Sequence, residues 1–389
     1  MKSVCVVAGT RPEIIKLASV YWELRKRTDC KTFWLSTGQH AELADQTLQS
    51  FNIAPDLTLE LGEPAPQIAI AGEPRSVSVA RLFAMLLHRI DEALCDMKPS
   101  LVVVQGDTTS AVAAAVAAYS RQIPIAHVEA GLRTFDLARP FPEEGWRSVL
   151  TQLSTLHFAP TKIAAQNLQL CGLSQDRIRI TGNTVIDALH WLLEQAQPDD
   201  AIRHAPPAGR LVLVTLHRRE NWQDAFADVC GALIKLRDRI ADIEIRFVLH
   251  ANPALRQRAE RHLAAQERIA LVEPMAYPAF IRLLRRSTLV LSDSGGVQEE
   301  APALGIPVLV LRDSTERREA VDEGVAKLVG TNSSHILNAA AHLLSDADAY
   351  SRMARRVNLF GDGRAASRIV EDIGCFLMTG SIAAAQTAA

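Results

Sequence analysis

Short runs of β-branched and aliphatic residues recur from one end of the chain to the other. Each is followed by a polar break and then by a stretch with helical spacing of its apolar positions. In the first half the runs are Ser3–Ala8, Thr32–Ser36, Leu101–Gln105, Ile123–Val128, His157–Ala159 and Arg179–Thr181. In the second half they are Leu211–Thr215, Ile245–Leu249, Ile269–Val272, Leu289–Ser292, Val308–Leu311 and Lys327–Val329. Strand-length apolar runs alternating with helices predict parallel sheets joined by crossover helices. The expected fold class is α/β, with two Rossmann-like, doubly wound domains. The first helix shows the pattern. Pro12 suits its first position, where the missing N–H would be unpaired anyway. Ile14, Leu17, Ala18 and Tyr21 then share one face.

Between the halves, Gln195 to Gly209 carries Pro198, Pro206 and Pro207 and reads as a linker. Glu63 to Pro74 is a second Pro/Gly-rich loop, and Thr379 to Ala389 is a small-residue tail expected to be disordered. A length of 389 residues suits two domains, and 48% apolar residues suffice for two cores. The 42 basic residues nearly balance the 44 acidic ones, which leaves no footprint for nucleic acid or an anionic membrane. Any anionic ligand must therefore be met by local cations. Ala111 to Ala118 is apolar but too short to span a bilayer. Met1-Lys2 leads straight into Val4–Val7 without a signal peptide, so a cytoplasmic location is expected. The cysteines Cys5, Cys30, Cys95, Cys171, Cys230 and Cys375 form no C-x-x-C pair, and no H-E-x-x-H occurs. They read as scattered reduced thiols, and no metal is expected.

In open parallel sheets, ligands sit beyond the carboxyl ends of strands, so the loops there are the candidates. Gly9-Thr10-Arg11-Pro12-Glu13 comes first, with Gly9 allowing a tight turn and Lys16 following. Arg11 and Lys16 carry the wrong sign for a helix N-terminus, at roughly 0.3–1 kcal/mol each. A bound anion would reverse that cost; two solvated cations beside Glu13 are the plainer alternative. In Gln105-Gly106-Asp107-Thr108-Thr109, Asp107 is either a site carboxylate or a helix N-cap. In His127 to Arg133, Glu129 is either a site carboxylate or an ordinary loop one. Phe141-Pro142-Glu143-Glu144 opens a helix, where acids are expected from the dipole alone. Thr215 to Glu220 reads as a phosphate loop or a surface loop, and His250-Ala251-Asn252-Pro253 as a cap beside a buried histidine.

The run Ser292-Asp293-Ser294-Gly295-Gly296-Val297-Gln298-Glu299-Glu300 is the strongest. Two glycines between a strand and a helix let backbone N–H groups approach a diphosphate. Glu300, about one turn on, can accept from both hydroxyls of a ribose. Arg312 to Arg317 follows the next strand and offers Arg317. No G-x-G-x-x-G follows a strand and no G-K-[ST] loop occurs, so a nucleotide here is substrate or product rather than a redox cofactor.

In order along the chain, these runs resemble the non-hydrolysing UDP-N-acetylglucosamine 2-epimerases. The resemblance rests on Gly9 to Glu13 with Lys16, Thr37-Gly38-Gln39-His40, Gly106 to Thr109, His127 to Arg133 and Pro142-Glu143-Glu144. It continues through Thr181-Gly182-Asn183-Thr184, His217 to Glu220, Asp293 to Glu300, Arg312 to Arg317 and Gly361-Asp362-Gly363. It implies the glycosyltransferase-B architecture, with the active site in the interdomain cleft. Residues 1–190 plus 363–380 would form the N-terminal domain, 191–362 the UDP-binding domain and 381–389 a flexible tail. It implies interconversion of UDP-GlcNAc and UDP-ManNAc through 2-acetamidoglucal, without metal or cofactor, in a homodimer. The product would feed surface polysaccharide.

By the same resemblance Asp107, Glu129, Glu143 and His217 are catalytic. Arg11, Lys16, Arg133, Met275, Phe280, Ser294, Gly295, Gly296, Glu300 and Arg317 bind substrate. The departures are Leu216, Trp146, Met275, the segment Arg75-Ser76-Val77, and Ala41. Those at Ala41, Arg75 and Trp146 bear on the substrate activation of many bacterial relatives and leave the catalytic set intact. A glycosyltransferase of this architecture, a hydrolysing 2-epimerase and a non-enzymatic nucleotide-binding module are the rival readings.

Overall fold

The computed structural model describes residues 1–39, 41–61, 78–195, 209–218, 224–250 and 252–380. The predicted loop Glu63–Pro74, Arg75 to Val77, nearly all of the linker, His40, Arg219, Glu220, Ala251 and the tail from 381 onward lie outside the described residues. The chain forms two compact units. The first comprises Met1 to His190 and the residues from Phe360 on; the second comprises Trp191–Leu359.

The first unit is built on a parallel sheet of β1 (Lys2–Ala8), β2 (Cys30–Ser36), β3 (Leu57–Thr58), β4 (Leu101–Gln105), β5 (Ile125–Val128), β6 (Leu156–Ala159) and β7 (Ile178–Ile180). Across the sheet they lie in the order β3-β2-β1-β4-β5-β6-β7. Its helices are α1 (Arg11–Arg25), α2 (Ala41–Ser50), α3 (Val79–Met97), α4 (Thr109–Ser120), α5 (Glu143–Leu153), α6 (Lys162–Leu170) and α7 (Thr184–Gln195), which runs on into the second unit.

The second unit repeats the plan with β8 (Arg210–Thr215), α8 (Asp224–Arg239), β9 (Ile243–Val248), α9 (Pro253–Leu263), β10 (Ile269–Val272), α10 (Tyr277–Arg285) and β11 (Leu289–Ser292). It continues with α11 (Val297–Ala303), β12 (Val308–Val310), α12 (Arg318–Asp322), β13 (Ala326–Leu328), α13 (Ser333–Ser345) and α14 (Ala347–Met353). Its strand order is β10-β9-β8-β11-β12-β13. The last helix, α15 (Ala365–Thr379), packs against α1 in the first unit.

Each sheet therefore has the doubly wound order, and each has a switch point where the winding reverses. In the first unit it lies between β1 and β4, whose register pairs Val6 with Val103. In the second it lies between β8 and β11, where Thr215 pairs with Ser292. The strands follow the apolar runs because parallel strands are covered on both faces. Val4 to Ala8 and Leu101 to Val104 are fully or almost fully buried. β3 escaped the pattern: two exposed residues leave no apolar run to read.

One expectation for α1 needs correction. Thr10 is the N-cap and Arg11 the first helical residue, so Pro12 is the second, a position where its missing N–H is equally harmless. The helix is also buried well beyond one face. Glu13, Lys16 and Ser19 are buried along with Ile14, Leu17 and Ala18, because the sheet covers one side and α15 packs on another.

Helix α15 is fixed at its start by Asp187 of α7. That carboxylate accepts the N–H groups of Ala365 at 3.2 Å and Ala366 at 2.8 Å. Capping a helix N-terminus favours the charged form, but burial wins and pushes the Asp187 carboxyl up to about 6.

Candidate functional site

At the switch point of the first unit, Glu13 ties the two loops together. It is fully buried and accepts the N–H groups of Gly9 at 3.0 Å and Thr10 at 2.8 Å, and the Thr108 hydroxyl at 2.5 Å. Burial still raises its pKa against those bonds. Gly9 is needed for space rather than for an unusual turn. A Cβ there would lie 1.8 Å from Thr37 Oγ1 and 2.5 Å from Ser110 Oγ.

Thr108 caps α4, its hydroxyl accepting the Ala111 N–H. The capping reading of Asp107 therefore falls to its neighbour. Asp107 keeps a partly exposed carboxylate paired with Arg147 of α5 at 2.7 Å.

Glu129 follows β5 and is no ordinary loop carboxylate. It is 6% exposed and sits in the left-handed region at φ 62°, a conformation that costs a side-chain-bearing residue about 1–3 kcal/mol. Its Oε2 accepts from Lys16 Nζ at 2.5 Å and from the Gln105 amide, and its Oε1 accepts from Asn183 Nδ2 at 3.1 Å. The wrong-sign charge of Lys16 is thus met from inside the domain, without a bound anion. His127, at the end of the same strand, lies next to His157 in the register of β5 and β6. Burial holds both rings below the usual histidine range, His157 down to about 3. Both stay neutral beneath the carboxylates.

Glu143 opens α5 as predicted, and Glu144 beside it is structural. Fully buried, Glu144 accepts from Arg133 at 2.6 Å, from Arg147 at 3.3 Å, and from the N–H groups of Thr134 and Phe135. Arg133, expected on the substrate side, has its guanidinium on Glu144, Ser148 and Cys171. It fixes the loop after Glu129. Trp146, one of the departures, stacks on Phe83 of α3 with ring centroids 5.6 Å apart. Arg11 is half-buried at the first position of α1.

The second unit closes its switch point with Asp293. This fully buried carboxylate accepts the backbone N–H groups of His217 at 3.0 Å and Arg218 at 2.9 Å. The hydroxyls of Thr215 and Ser292 meet at 2.6 Å just below. The His217 ring faces that of His250, 5.3 Å away, and His250 is pushed down to about 4 by burial and by that neighbour. Asn252 caps α9, as its sequence position indicated.

Gly296 precedes α11, and the Ser294 N–H is bound to Ser292 Oγ. Of the three expected phosphate-facing amides, that one has an internal partner. Gly295 makes room for Arg317, whose guanidinium carbon would be 2.8 Å from a Cβ there. Arg317 donates to Glu299 at 2.8 Å, and Arg312 donates to Glu316 at 2.8 Å. Glu300 accepts the Tyr277 hydroxyl at 2.6 Å. Phe280 is buried on α10, and Met275 is half-buried just before it.

Sequence reasoning missed Gln105, Asn183, Arg147 and Asp293 as individual contributors. Each stands inside or beside a run singled out for another residue. What each adds is a long-range hydrogen bond, for which one sequence carries no sign.

The fold and these loops define a protein with two Rossmann-like domains, each holding a polar site at its switch point. The chain belongs to the UDP-N-acetylglucosamine 2-epimerase family, whose model matches residues 22–374. It is 40% identical over 376 residues to the UDP-N-acetylglucosamine 2-epimerase of Escherichia coli, covering 95% of this chain and 97% of that one. To the Bacillus subtilis UDP-N-acetylglucosamine 2-epimerase it is 39% identical over 370 residues, covering 95% and 94%. A crystal structure of the Neisseria meningitidis UDP-GlcNAc 2-epimerase bound to UDP-GlcNAc matches with a TM-score of 0.89 and 37% identity, over 96% of this chain and all of that one. The Methanocaldococcus jannaschii enzyme in complex with UDP-GlcNAc and UDP matches at 0.83 and 32%, over 96% and 100%. The expected fold class, two Rossmann-like domains of the glycosyltransferase-B kind, is borne out. Membership in this family makes the chain an enzyme, and an epimerase is an isomerase.

Proposed function

We propose that the chain interconverts UDP-GlcNAc and UDP-ManNAc without net hydrolysis. The observation that carries this reading is Glu129, a buried carboxylate under three side-chain donors, in a family in which the Neisseria meningitidis and Methanocaldococcus jannaschii structures hold UDP-GlcNAc. A carboxylate takes the proton from C2 while the C1–O bond breaks, which leaves UDP and 2-acetamidoglucal. A proton then returns to C2 on the opposite face, and a phosphate oxygen of UDP re-forms the bond at C1. Atoms and charge balance without an added oxidant or metal.

Asp107, Glu129 and Glu143 are the carboxylates for the two faces, and a positioned acid or base contributes about 10²–10⁴-fold. Lys16 donates to Glu129 and sets a positive charge against its carboxylate group. The leaving diphosphate calls for fixed donors, which act without reorganising as charge develops. Arg11, His217, Arg317 and the amides from Ser294 to Gly296 fill that role. Glu300 takes the ribose hydroxyls, and Met275 and Phe280 lie on the base side. Arg133 serves by holding the Glu129 loop. We extend the reading to a homodimer in the cytoplasm that supplies a precursor for surface polysaccharide.

The test is incubation with UDP-GlcNAc in D2O, followed by NMR. UDP-ManNAc with deuterium at C2 is the expected product. Free ManNAc as the main product would overturn the non-hydrolysing assignment. Absence of C2 exchange in folded protein would overturn the epimerase reading itself.

A further inference from the structure

Asn183 lies between β7 and α7, in a run that the reaction above does not use. Its side chain and its backbone face different partners. Nδ2 donates to Glu129 Oε1 at 3.1 Å, and the backbone N–H donates to the carbonyl of Phe360 at 2.5 Å. Phe360 is the first residue of the first unit after the chain returns from the second.

The close approach is built in. Gly182 has φ 88°, and a Cβ there would lie 3.0 Å from Gly361 Cα; a Cβ at Gly361 would lie 3.3 Å from the Asn183 nitrogen. The two segments therefore meet backbone against backbone. Further on, a Cβ at Gly363 would lie 2.2 Å from His190 Nδ1, and Asp187 holds the start of α15. His190 is where the chain leaves the first unit. The outgoing and returning segments are thus fastened to each other at successive points, and Asn183 is the point that also reaches Glu129.

We propose that Asn183 is a positioning residue for the acid/base step, its amide aiming the Glu129 carboxylate while its backbone N–H holds the chain where it re-enters the domain. Gln105 assists from β4 by donating to the other oxygen. A carboxylate gripped on both oxygens cannot turn about its last torsion, so the lone pair offered to a substrate proton has a fixed direction. A displacement of the returning segment would pass through Asn183 to that carboxylate. The inference rests on the epimerase reading for its kinetic consequences, and on geometry alone for the state of Glu129.

Lys16 from α1 is a charged group in contact with Glu129. Neutral His127 adjoins it on β5, with Asp107 and Arg147 acting on that histidine from the loop after β4 and from α5. Asn183→Asp keeps the shape but sets a like charge against Glu129. It should raise the carboxyl's midpoint by about one unit. Isotope-edited infrared titration of the ligand-free protein reads this directly, with the Glu129 band assigned by its loss in Glu129→Gln.

In turnover, the acid limb of the kcat profile should move up in parallel. The value of kcat at pH 7 should fall about tenfold or more, with UDP affinity within about twofold of wild type. Asn183→Ala removes a donor to the carboxylate and should lower kcat while moving the limb up less than Asn183→Asp does, and Gly361→Ala should lower kcat several-fold by displacing the Phe360 carbonyl. An unmoved infrared midpoint in folded Asn183→Asp overturns the proposal whether or not the wild type is an epimerase. Wild-type turnover in both Asn183→Ala and Gly361→Ala overturns it as well. A wild type lacking C2 exchange while the midpoint still shifts would sink the function and leave the positioning role standing.

Discussion

At the switch point of the first unit, Glu13 binds the loop after β1 to the loop after β4; at that of the second, Asp293 binds the loop after β11 to the loop after β8. Both carboxylates are fully buried and both accept backbone N–H groups. Around them the units diverge. In the first, Asp107 keeps a partly exposed carboxylate, and Glu129 sits in a strained turn under a lysine and two amides. In the second, Arg312 donates to Glu316 and Arg317 to Glu299, and Tyr277 donates to Glu300. One topology thus carries, in one copy, the carboxylates to which the proposed reaction assigns the proton steps, and in the other a frame of paired donors and acceptors. Fold alone does not allot those roles; the side chains at the strand ends do.

The comparison breaks most visibly at Glu129. Glu129→Gln is nearly isosteric and keeps an oxygen for Lys16, but it cannot take up a proton. Turnover and C2 exchange should fall by about 10²–10⁴-fold, while UDP alone binds within about threefold of wild type. Isothermal titration with UDP and deuterium incorporation measure the two halves. Equal loss of both would mean that Glu129 itself helps to hold the nucleotide and is not confined to the proton step.

Much of this contrast was legible in the sequence, though unevenly. The strand-end loops stood out because parallel strands are continuous apolar runs, and what interrupts them is polar. The Ser292–Glu300 run was readable for the same reason. The state of each carboxylate was not. Nothing local to Glu129 distinguishes it from Glu144, yet one takes the grip of Lys16, Gln105 and Asn183, while the other anchors Arg133 and Arg147. Those partners lie up to 113 residues away in the chain. Likewise Gly9 reads as a turn former and Gly295 as opening the backbone to a diphosphate, whereas their lack of a side chain makes room for Thr37 and for Arg317. Such spatial neighbours exist only once the sheet is assembled.

The second unit's frame is tested by removing one member of a buried pair. Arg317→Ala withdraws the cation facing Glu299 and Glu316, and breaking a buried pair from one side typically costs about 3–5 kcal/mol. Thermal or urea unfolding should show that loss in full-length protein, together with weaker UDP binding. In Arg317→Leu combined with Glu299→Leu, stability should recover to within about 1–2 kcal/mol while UDP affinity stays low. If the single variant is as stable as wild type, the arginine is not the prop the geometry makes it. If the double variant regains affinity, the guanidinium does not touch the nucleotide.

The smallest effect concerns how the first unit holds its last helix, and it sharpens the contrast by pH. Asp187 has its carboxyl raised to about 6 from an ordinary 3.8, chiefly by burial. Between those values the native state binds a proton that the unfolded chain releases, so its contribution to stability is full at low pH and is lost as pH rises through about 6. The span corresponds to about 3 kcal/mol at most. His157, held down to about 3, works the other way, because the unfolded chain takes up a proton the native ring refuses below about 6.5. The two slopes offset each other in wild type between about pH 4 and 6. Asp187→Asn can still accept an N–H from Ala365 or Ala366 but cannot ionise. Its stability relative to wild type should therefore improve by about 2–3 kcal/mol on going from pH 4 to pH 7, and the histidine slope should emerge uncovered. Urea denaturation of both proteins at half-unit pH intervals measures this. A difference that stays flat across that range would mean Asp187 is already charged where it caps α15, and that burial does not outweigh its two hydrogen bonds.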